Sequence, residues 1–297
     1  MIDQLAAEKA NAMHEDTVLS ETISRIEEIL ADDLDRIELE RAAIGLFFTG
    51  VKLNTGVAGA CATPLRSIPE AVCCPSSALA MPFPGKLRGR PIRDLLRETG
   101  AASGIRRAVG VATMNALAEM CWERRGARGV TLRTGIDAYD AAAIQPGEYV
   151  VVVGAFVPFL KSLKQARQKF TVLEMDPATL KPDELPYFRP TEQADAVLPS
   201  ADVVLITGTT LLNDTLEHLL ALCRPTTRVV VVGPTVGLLP DAFLRRGVDV
   251  LGGIRVTAPD AFLDVLAEGG SGYHFFGRSA EKVVLMRQTT PAVLQAA

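Results

Sequence analysis

The sequence predicts an α/β protein with two domains, a smaller α+β domain over residues 1–130 and a doubly wound parallel sheet over residues 131–297. The length of 297 residues is enough for two domains that each bury a core. After residue 148, short runs of Val, Leu and Ile alternate with helical patterns. Such unbroken apolar runs are typical of strands covered on both faces, and single helices between them favour parallel pairing through right-handed crossovers.

The N-terminal half mixes helical and strand patterns. Residues 2–30 place apolar side chains at helical spacing and predict an amphipathic helix. The other predicted elements follow in order: two meander strands at 36–46 and 47–53, a Gly- and Pro-rich loop region at 54–84 with room for one short strand, helices at 92–98 and 108–125, and a connection at 131–146.

The C-terminal half contains six apolar runs that predict strands. They lie at residues 149–154, 170–175, 202–208, 227–233, 248–253 and 282–287. Helical patterns follow most of them, at 158–168, 211–222, 239–246 and 259–267. This alternation predicts the doubly wound sheet.

Composition excludes several classes of protein. The chain is 48% hydrophobic with a net charge of −4 and dispersed Arg, so it lacks the basic surface with which proteins neutralise nucleic-acid phosphates. No apolar run approaches the length of a membrane span, and the acidic start does not resemble a signal peptide. We therefore expect a cytoplasmic protein with five reduced cysteines and neither nucleic acid nor membrane as a partner.

Ligands of doubly wound sheets bind beyond the carboxyl ends of the strands, so the residues after each apolar run are the candidate site. The first run ends at Gly154, and Pro158 then begins a helix whose first N–H groups are free to face an anion. Phe156 and Val157 stand where a dinucleotide-binding loop has glycines. The sequence therefore disfavours NAD binding.

Glu174 ends the second run, about 20 residues after the first turn, where an acid accepts hydrogen bonds from ribose hydroxyls in nucleotide sites. The alternative interpretation is a solvent-exposed acid at the end of an edge strand. The turn after the next run has the composition of an anion-binding or capping turn, with Thr207, Gly208, Thr209, Thr210 and Asn213.

A third Gly-containing turn follows the run at 227–233 and consists of Gly233, Pro234 and Thr235. Glycines on one rim favour close backbone approach to a ligand, although Gly is common in the loops of any α/β protein. Asn115 needs a hydrogen-bond partner near the predicted helix start, so we expect it at the domain interface. Together these turns and Asn115 predict one shared ligand pocket.

Metal ligands are sparse in the sequence. Cys73 and Cys74 are adjacent and would point to opposite faces of a strand, and no C-x-x-C or H-x-x-x-H spacing occurs. His218 lies in a helical pattern and is interpreted as a surface or packing residue. A metal cage built from protein side chains alone is therefore disfavoured.

Several of these segments, taken together, resemble one protein family: Ile44-Gly45 with Thr49 and Val51, the stretch 110–117, the turn 154–158, Glu174 with Pro177, the stretch 206–210 with 213–215, and the turns 233–235 and 247–249. The chain resembles the "putative heavy-metal chelation" family, in which an enolase-N-terminal-like domain precedes a Rossmann-like domain. The resemblance covers most of the chain. It implies a binding cleft between the two domains and a homodimer, and it brings no catalytic residues.

Three functional hypotheses follow. In the first, the protein binds a small ligand in the interdomain cleft: a heavy metal held by a chelator, or an anionic metal-bearing cofactor. The second is an enzyme that uses a nucleotide-type cofactor such as S-adenosylmethionine, with Glu174 on the ribose. The third is an assembly protein whose Rossmann-like half has lost its ligand. No nucleophile with a base and no carboxylate pair can be assigned to one pocket, so no catalytic residue is predicted.

Overall fold

Two β-sheets organise the chain. The computed structural model describes residues 17–65, 81–101, 104–126 and 129–288. The smaller sheet is an antiparallel meander of β1 (Leu39–Ile44), β2 (Phe48–Leu53) and β3 (Ala58–Ala62). The larger sheet has eight strands in the order β4-β11-β10-β9-β8-β5-β6-β7.

The described part of the N-terminal half also contains α-helices. Helix α1 (Val18–Leu30) begins after Thr17, which caps the helix by accepting a hydrogen bond from the N–H of Ser20. Helices α2 (Ile92–Leu96) and α3 (Gly104–Arg125) confirm the other two predicted N-terminal helices. The part of the first predicted helix before residue 17 lies outside the described residues.

The large sheet and its helices occupy the rest of the chain. The strands are β4 (Val130–Thr134), β5 (Tyr149–Val153), β6 (Lys169–Glu174), β7 (Phe188–Pro190), β8 (Val203–Thr207), β9 (Arg228–Val232), β10 (Val248–Val256) and β11 (Ala280–Arg287). The helices are α4 (Ala138–Ala141), α5 (Val157–Gln165), α6 (Ala194–Val197), α7 (Leu216–Ala221), α8 (Asp241–Arg245), α9 (Pro259–Ala267) and α10 (Gly272–Phe275). In the described ranges, no helix is both long and apolar enough to cross a lipid bilayer.

Six neighbouring strands of the large sheet, β10-β9-β8-β5-β6-β7, pair in parallel. The chain builds outward from β5 through β6 to β7, and then returns to β8 on the other side of β5 before adding β9 and β10. This is the strand order of a doubly wound Rossmann-like sheet, with its topological switch point between β5 and β8. The predicted α/β fold class is confirmed.

The other strands of the large sheet correct the prediction of uniformly parallel pairing. Strand β11 runs antiparallel to both β10 and β4. Helix α9, which follows β10, packs its buried Phe262, Leu263 and Leu266 against Ala43 and Ala60 of the small sheet instead of crossing over the large one. Without a crossover helix on the sheet, the chain returns beside β10 in the opposite direction.

Two strands of the large sheet were not predicted. Strand β4 begins one residue before the segment 131–146, which was predicted only as a connection, and the short helix α4 lies inside that segment. Strand β4 pairs with β11 at the edge of the sheet. Strand β7 pairs with β6 at the opposite edge. It has three residues, which is too short for a pattern of alternating side chains to identify.

The small sheet lies between helices from both halves of the chain. Helix α3 packs on one face, and its backbone approaches β3 so closely that a Cβ added to Gly59 would lie 2.2 Å from Ala112 O and 2.3 Å from Ala116 N. Helix α9 covers the other face. Buried residues of α3 also form a continuous core with strands β5, β8 and β9. The division into domains at residues 130 and 131 therefore stays a prediction.

Candidate functional site

A cavity of about 370 Å³ lies at the carboxyl ends of β5, β6 and β8, beside the switch point of the sheet. We call it the switch-point pocket. Its apolar lining is Val153, Ala155, Leu173, Met175, Ala194 and Leu219, and its polar lining is Glu174, Thr191, Glu192, Thr207, Thr209, Thr210, Asn213, Thr215 and His218. Gly154 also belongs to the lining. The volume and the mixed lining are typical of a small-molecule site.

The pocket brings together half of the predicted site residues, namely Gly154, Glu174, Thr207, Thr209, Thr210 and Asn213. Gly154 takes a φ of 101°, and a Cβ there would lie 2.9 Å from Cγ2 of Thr207. The turns after β5 and β8 therefore touch at the switch point only because residue 154 has no side chain.

The turn after β8 uses part of its hydroxyl groups to hold its own shape. Thr207 Oγ1 accepts from the N–H of Thr209 at 3.3 Å and lies 3.0 Å from Thr209 Oγ1. Thr210 Oγ1 donates to Thr207 O at 2.7 Å, and Thr210 is buried. Thr209 is exposed on the pocket rim, so its hydroxyl is the one best placed to meet a ligand.

The half-buried Glu174 is fixed by its own turn. Its Oε1 accepts from the N–H of Met175 at 2.8 Å and from the N–H of Asp176 at 3.2 Å. The second oxygen, Oε2, has no hydrogen-bond donor among the described residues. The alternative interpretation of Glu174 as the end of an edge strand is wrong, because β7 pairs with β6 beyond it.

The charge of the pocket lining is acidic. Glu174 and Glu192 supply two carboxylates, and no Lys or Arg belongs to the lining within the described residues. His218 lies at the mouth, where its Nε2 is 3.0 Å from Oδ1 of the exposed Asp195. A ligand that enters the pocket therefore meets acceptor oxygens and negative charge.

Phe156, a predicted site residue, is not among the residues that line the pocket. Its ring stacks on Phe159 of α5, with ring centroids 5.0 Å apart and an interplanar angle of 22°. The ring therefore packs with the apolar layer beneath α5. Helix α5 starts at Val157 and has no side-chain cap.

The switch-point pocket is not lined by the other predicted site residues, which are Gly208, Gly233, Pro234, Thr235 and Asn115. Gly208 is buried, and a Cβ there would lie 2.7 Å from Cγ2 of Val236. Pro234 and Asn115 line a small void of about 10 Å³, which contains no residue of the switch-point pocket. Gly233 lies next to Gly208, since a Cβ there would be 3.8 Å from Gly208 N.

Thr235 and Asn115 connect the two sheets through hydrogen bonds. Thr235 Oγ1 accepts from the N–H of Ala62 at 3.0 Å. Asn115 Nδ2 donates to Ala60 O at 2.8 Å and to Thr235 O at 2.9 Å. Helix α3 begins at Gly104 and not at the predicted Ala108, so Asn115 lies in the middle of the helix instead of near its start.

Replacing Asn115 with Leu is expected to lower the free energy of unfolding by about 2–4 kcal/mol, because it leaves two buried carbonyls without a donor. Urea denaturation measures this loss. The control is Met114→Leu, a swap of similar volume at the adjacent buried position, which should cost less than about 1.5 kcal/mol. Equal losses in the two variants would show that the Asn115 bonds do not hold the sheets together.

The described residues do not fit a metal ion bound by protein side chains alone. Within residues 17–65, 81–101, 104–126 and 129–288, no three His, Cys, Asp or Glu side chains converge on one point. Burial raises the pKa of Cys61, and it raises that of Cys121 to about 12 and that of Cys223 to about 11, which disfavours the thiolate that a soft metal needs. Cys73 and Cys74 lie outside the described residues.

Several residues of the pocket were not predicted as part of it: Met175, Thr191, Glu192, Thr215 and His218. Thr191 and Glu192 follow β7, the short strand without a sequence signal. His218 belongs to α7, and its side chain is 63% exposed, as the predicted surface position requires. The sequence did not indicate that this exposed side chain lines the pocket. Thr215 and Met175 were identifiable in principle, since each lies within two residues of a predicted site residue.

Comparison with known proteins gives the family. Two family models match the chain, DUF364 over residues 137–285 and DUF4213 over residues 27–118, and both are described as putative heavy-metal chelation. Together they span most of the chain. The chain belongs to this family.

Known members of the family share the fold. A DUF364 protein of unknown function from Pyrococcus horikoshii superimposes with a TM-score of 0.71 at 20% identity, covering 91% of this chain and 100% of that one. A second, from Desulfitobacterium hafniense, gives 0.68 at 20% identity, with 89% and 100% covered. At this identity the likeness shows the fold alone.

A curated relative is similar in sequence. An uncharacterized protein of Methanocaldococcus jannaschii is 30% identical over 182 residues, which is 59% of this chain. The match spans 64% of the length of that relative.

Proposed function

We propose that this protein binds a small organic molecule, neutral or positively charged, in the switch-point pocket. The observation that carries the proposal is the lining, in which two carboxylates lie beside an apolar wall and which has no Lys or Arg in the part that the structure describes. An anionic ligand would bring like charges together in a partly desolvated site, which is unfavourable. The pocket charge therefore favours a neutral or cationic ligand over an anionic cofactor.

An organic chelate of a metal ion meets these requirements and agrees with the family description. In such a complex the chelator supplies the metal ligands, so the protein contacts only the outer surface of the complex. The absence of a converging His, Cys, Asp or Glu cluster in the described residues supports this form of recognition over the binding of a bare ion.

A nucleotide-type cofactor is a second candidate, and the position of Glu174 favours it. In doubly wound sheets, the acid that ends the second strand accepts hydrogen bonds from ribose hydroxyls. Glu174 ends β6, the second strand of the parallel set, and its Oε2 has no donor within the described ranges. Among nucleotide-type cofactors, the acidic lining favours S-adenosylmethionine because its sulfonium is positively charged and it has no phosphate.

Native mass spectrometry of protein purified without chelators tests the proposal first, because it reports the mass of any molecule that remains bound. Calorimetric titration of the full chain then compares three probes: S-adenosylmethionine, the neutral nickel–histidine complex and ATP. We expect binding of one of the first two and none of ATP. Binding of ATP alone would contradict the proposed charge preference.

In the Glu174→Gln variant, the affinity for the probe that binds the wild type is expected to fall by about 10- to 100-fold, the range for a lost hydrogen bond to a charged group. The fold should persist, because the Gln carbonyl oxygen still accepts from the N–H groups of Met175 and Asp176. The control is Glu268→Gln, which removes an exposed acid distant in sequence from the pocket lining. An unchanged affinity in Glu174→Gln would remove this residue from the site.

A further inference from the structure

One wall of the switch-point pocket is held by an arginine from the other half of the chain. The segment 209–215 supplies Thr209, Thr210, Asn213 and Thr215 to the lining. Arg107, on helix α3, donates from Nη1 to Leu212 O at 3.0 Å in the middle of this segment. The same Nη1 lies 2.7 Å from Oδ2 of Asp214.

The guanidinium of Arg107 is placed to hold this wall rigidly. Arg107 is only 8% exposed, and its Nε donates to Thr99 O at 2.9 Å, which fixes the plane of the group. A planar guanidinium held at one nitrogen presents its other N–H groups in a defined direction. Arg107 therefore connects two segments, the turn at Thr99 and the pocket wall, through three acceptors.

The backbone of the wall is strained at Asp214, a residue that Arg107 binds. Asp214 has a φ of 56°, in the left-handed region that costs a non-glycine residue free energy, although Asp tolerates it better than most. The side chain of Asp214 faces the Arg107 cation. The ion pair with Asp214 and the hydrogen bond to Leu212 O therefore offset the free-energy cost of this backbone conformation.

A second contact crosses between the halves beside the same wall. The N–H of Val18, at the start of α1, donates to Oε1 of Glu217 at 2.8 Å. Glu217 precedes His218, which lines the pocket. Helices α1 and α3 of the N-terminal half thus both reach the segment that shapes the ligand site.

We infer that Arg107 is a positioning residue for the switch-point pocket, so that the N-terminal half sets the geometry of a site lined by residues of the C-terminal half. This inference deepens the proposed function, on which its consequence for ligand binding rests. Its consequence for the conformation of residues 209–219 does not depend on any ligand.

Hydrogen–deuterium exchange of the ligand-free full chain tests the conformational part. The amides of Leu212, Thr215 and Leu219 are hydrogen-bonded to carbonyls of the same segment, so their exchange reports on its opening. In Arg107→Met, and to a smaller extent in Arg107→Lys, these amides should exchange faster by about tenfold or more, the equivalent of roughly 1.4 kcal/mol. The strands of the sheet should exchange as in the wild type.

Arg106→Met is the matched control. Arg106 is the neighbour of Arg107 on α3 and binds the buried Glu98 through two hydrogen bonds of 2.5 and 2.8 Å, and within the described residues it forms no hydrogen bond or ion pair with residues 209–215. Its loss should lower overall stability without selective exchange in residues 209–219. Wild-type exchange of this segment in both Arg107 variants, or equal loosening in Arg106→Met, would overturn the inference.

A milder variant separates a local effect from a loss of folding. Asp214→Asn removes the charge that faces Arg107, while Asn tolerates the left-handed backbone conformation as well as Asp does. Because Asp214 is half-exposed, the variant should fold, and we expect intermediate acceleration of exchange confined to residues 209–219. Exchange unchanged from the wild type would contradict a role for the ion pair.

A binding experiment tests the consequence for the ligand site, with S-adenosylmethionine and the nickel–histidine complex as probes. A probe that binds the wild type should bind Arg107→Met about tenfold or more weakly, and Arg106→Met with wild-type affinity. If exchange in the segment rises but neither probe binds the wild type, the positioning role of Arg107 stands and the proposed ligand class fails. If a probe binds and the exchange is unchanged, the proposed function stands and the role of Arg107 fails.

Discussion

The Thr209→Trp variant is expected to abolish binding of any ligand that occupies the switch-point pocket, with a loss of affinity of more than about 100-fold. Thr209 is exposed on the rim of a cavity of about 370 Å³, and an indole ring there would fill much of the space that a ligand needs. The variant should fold normally, because it gives up only the hydroxyl contact with Thr207, worth about 1 kcal/mol or less.

Calorimetric titration measures this loss with whichever probe or co-purified molecule binds the wild-type chain. Thr226→Trp is the control, since Thr226 is also an exposed threonine, and it lies just before β9, at the amino end of that strand and away from the carboxyl ends that form the pocket. It should bind as the wild type does. If Thr209→Trp retained full affinity, the ligand would have to bind elsewhere, and the proposed site would be wrong.

The Gly59→Ala variant is expected to lower the free energy of unfolding by about 3 kcal/mol or more, because the added methyl group meets backbone and not a flexible side chain. The Cβ would lie 2.2 Å from Ala112 O and 2.3 Å from Ala116 N, so helix α3 must move away from β3. That movement would also pull Asn115 from its acceptor on Ala60.

Urea denaturation compares Gly59→Ala with Gly56→Ala. Gly56 has a φ of 88° and open space around it, so its replacement costs only backbone strain, about 1 kcal/mol. A larger loss at residue 59 than at residue 56 is the expected order. The reverse order would show that α3 and β3 separate easily, against the close packing described above.

The sequence predicts the parallel core of the fold well because that core is determined by local patterns. The Val-rich runs that form β5, β8 and β9 are buried on both faces, and any such run between helices is recognisable. The direction of β11 is different, because it depends on where α9 packs. The apolar face of α9 fits the small sheet, and nothing in its own sequence distinguishes that partner from the large sheet.

The candidate site likewise has a part that the sequence predicts and a part that it does not. Gly154 directly follows β5, and Glu174 and Thr207 end its two neighbours β6 and β8, so the predicted fold alone brings the three residues together. Thr235 follows β9, the next strand, but its hydroxyl accepts a hydrogen bond from Ala62 of the small sheet and does not line the pocket. Such a contact between the two sheets joins residues that are distant in sequence, and no local pattern encodes it.

The position of the small sheet between α3 and α9 has a consequence for how the protein folds and can be divided. A fragment that ends at residue 130 would lack α9 and leave Ala43 and Ala60 facing water. A fragment that starts there would expose Phe262, Leu263 and Leu266 on a helix with nothing to cover them. Exposed apolar faces of this kind promote aggregation. We therefore expect the two halves to melt as one cooperative unit, and neither to be a useful piece for separate expression.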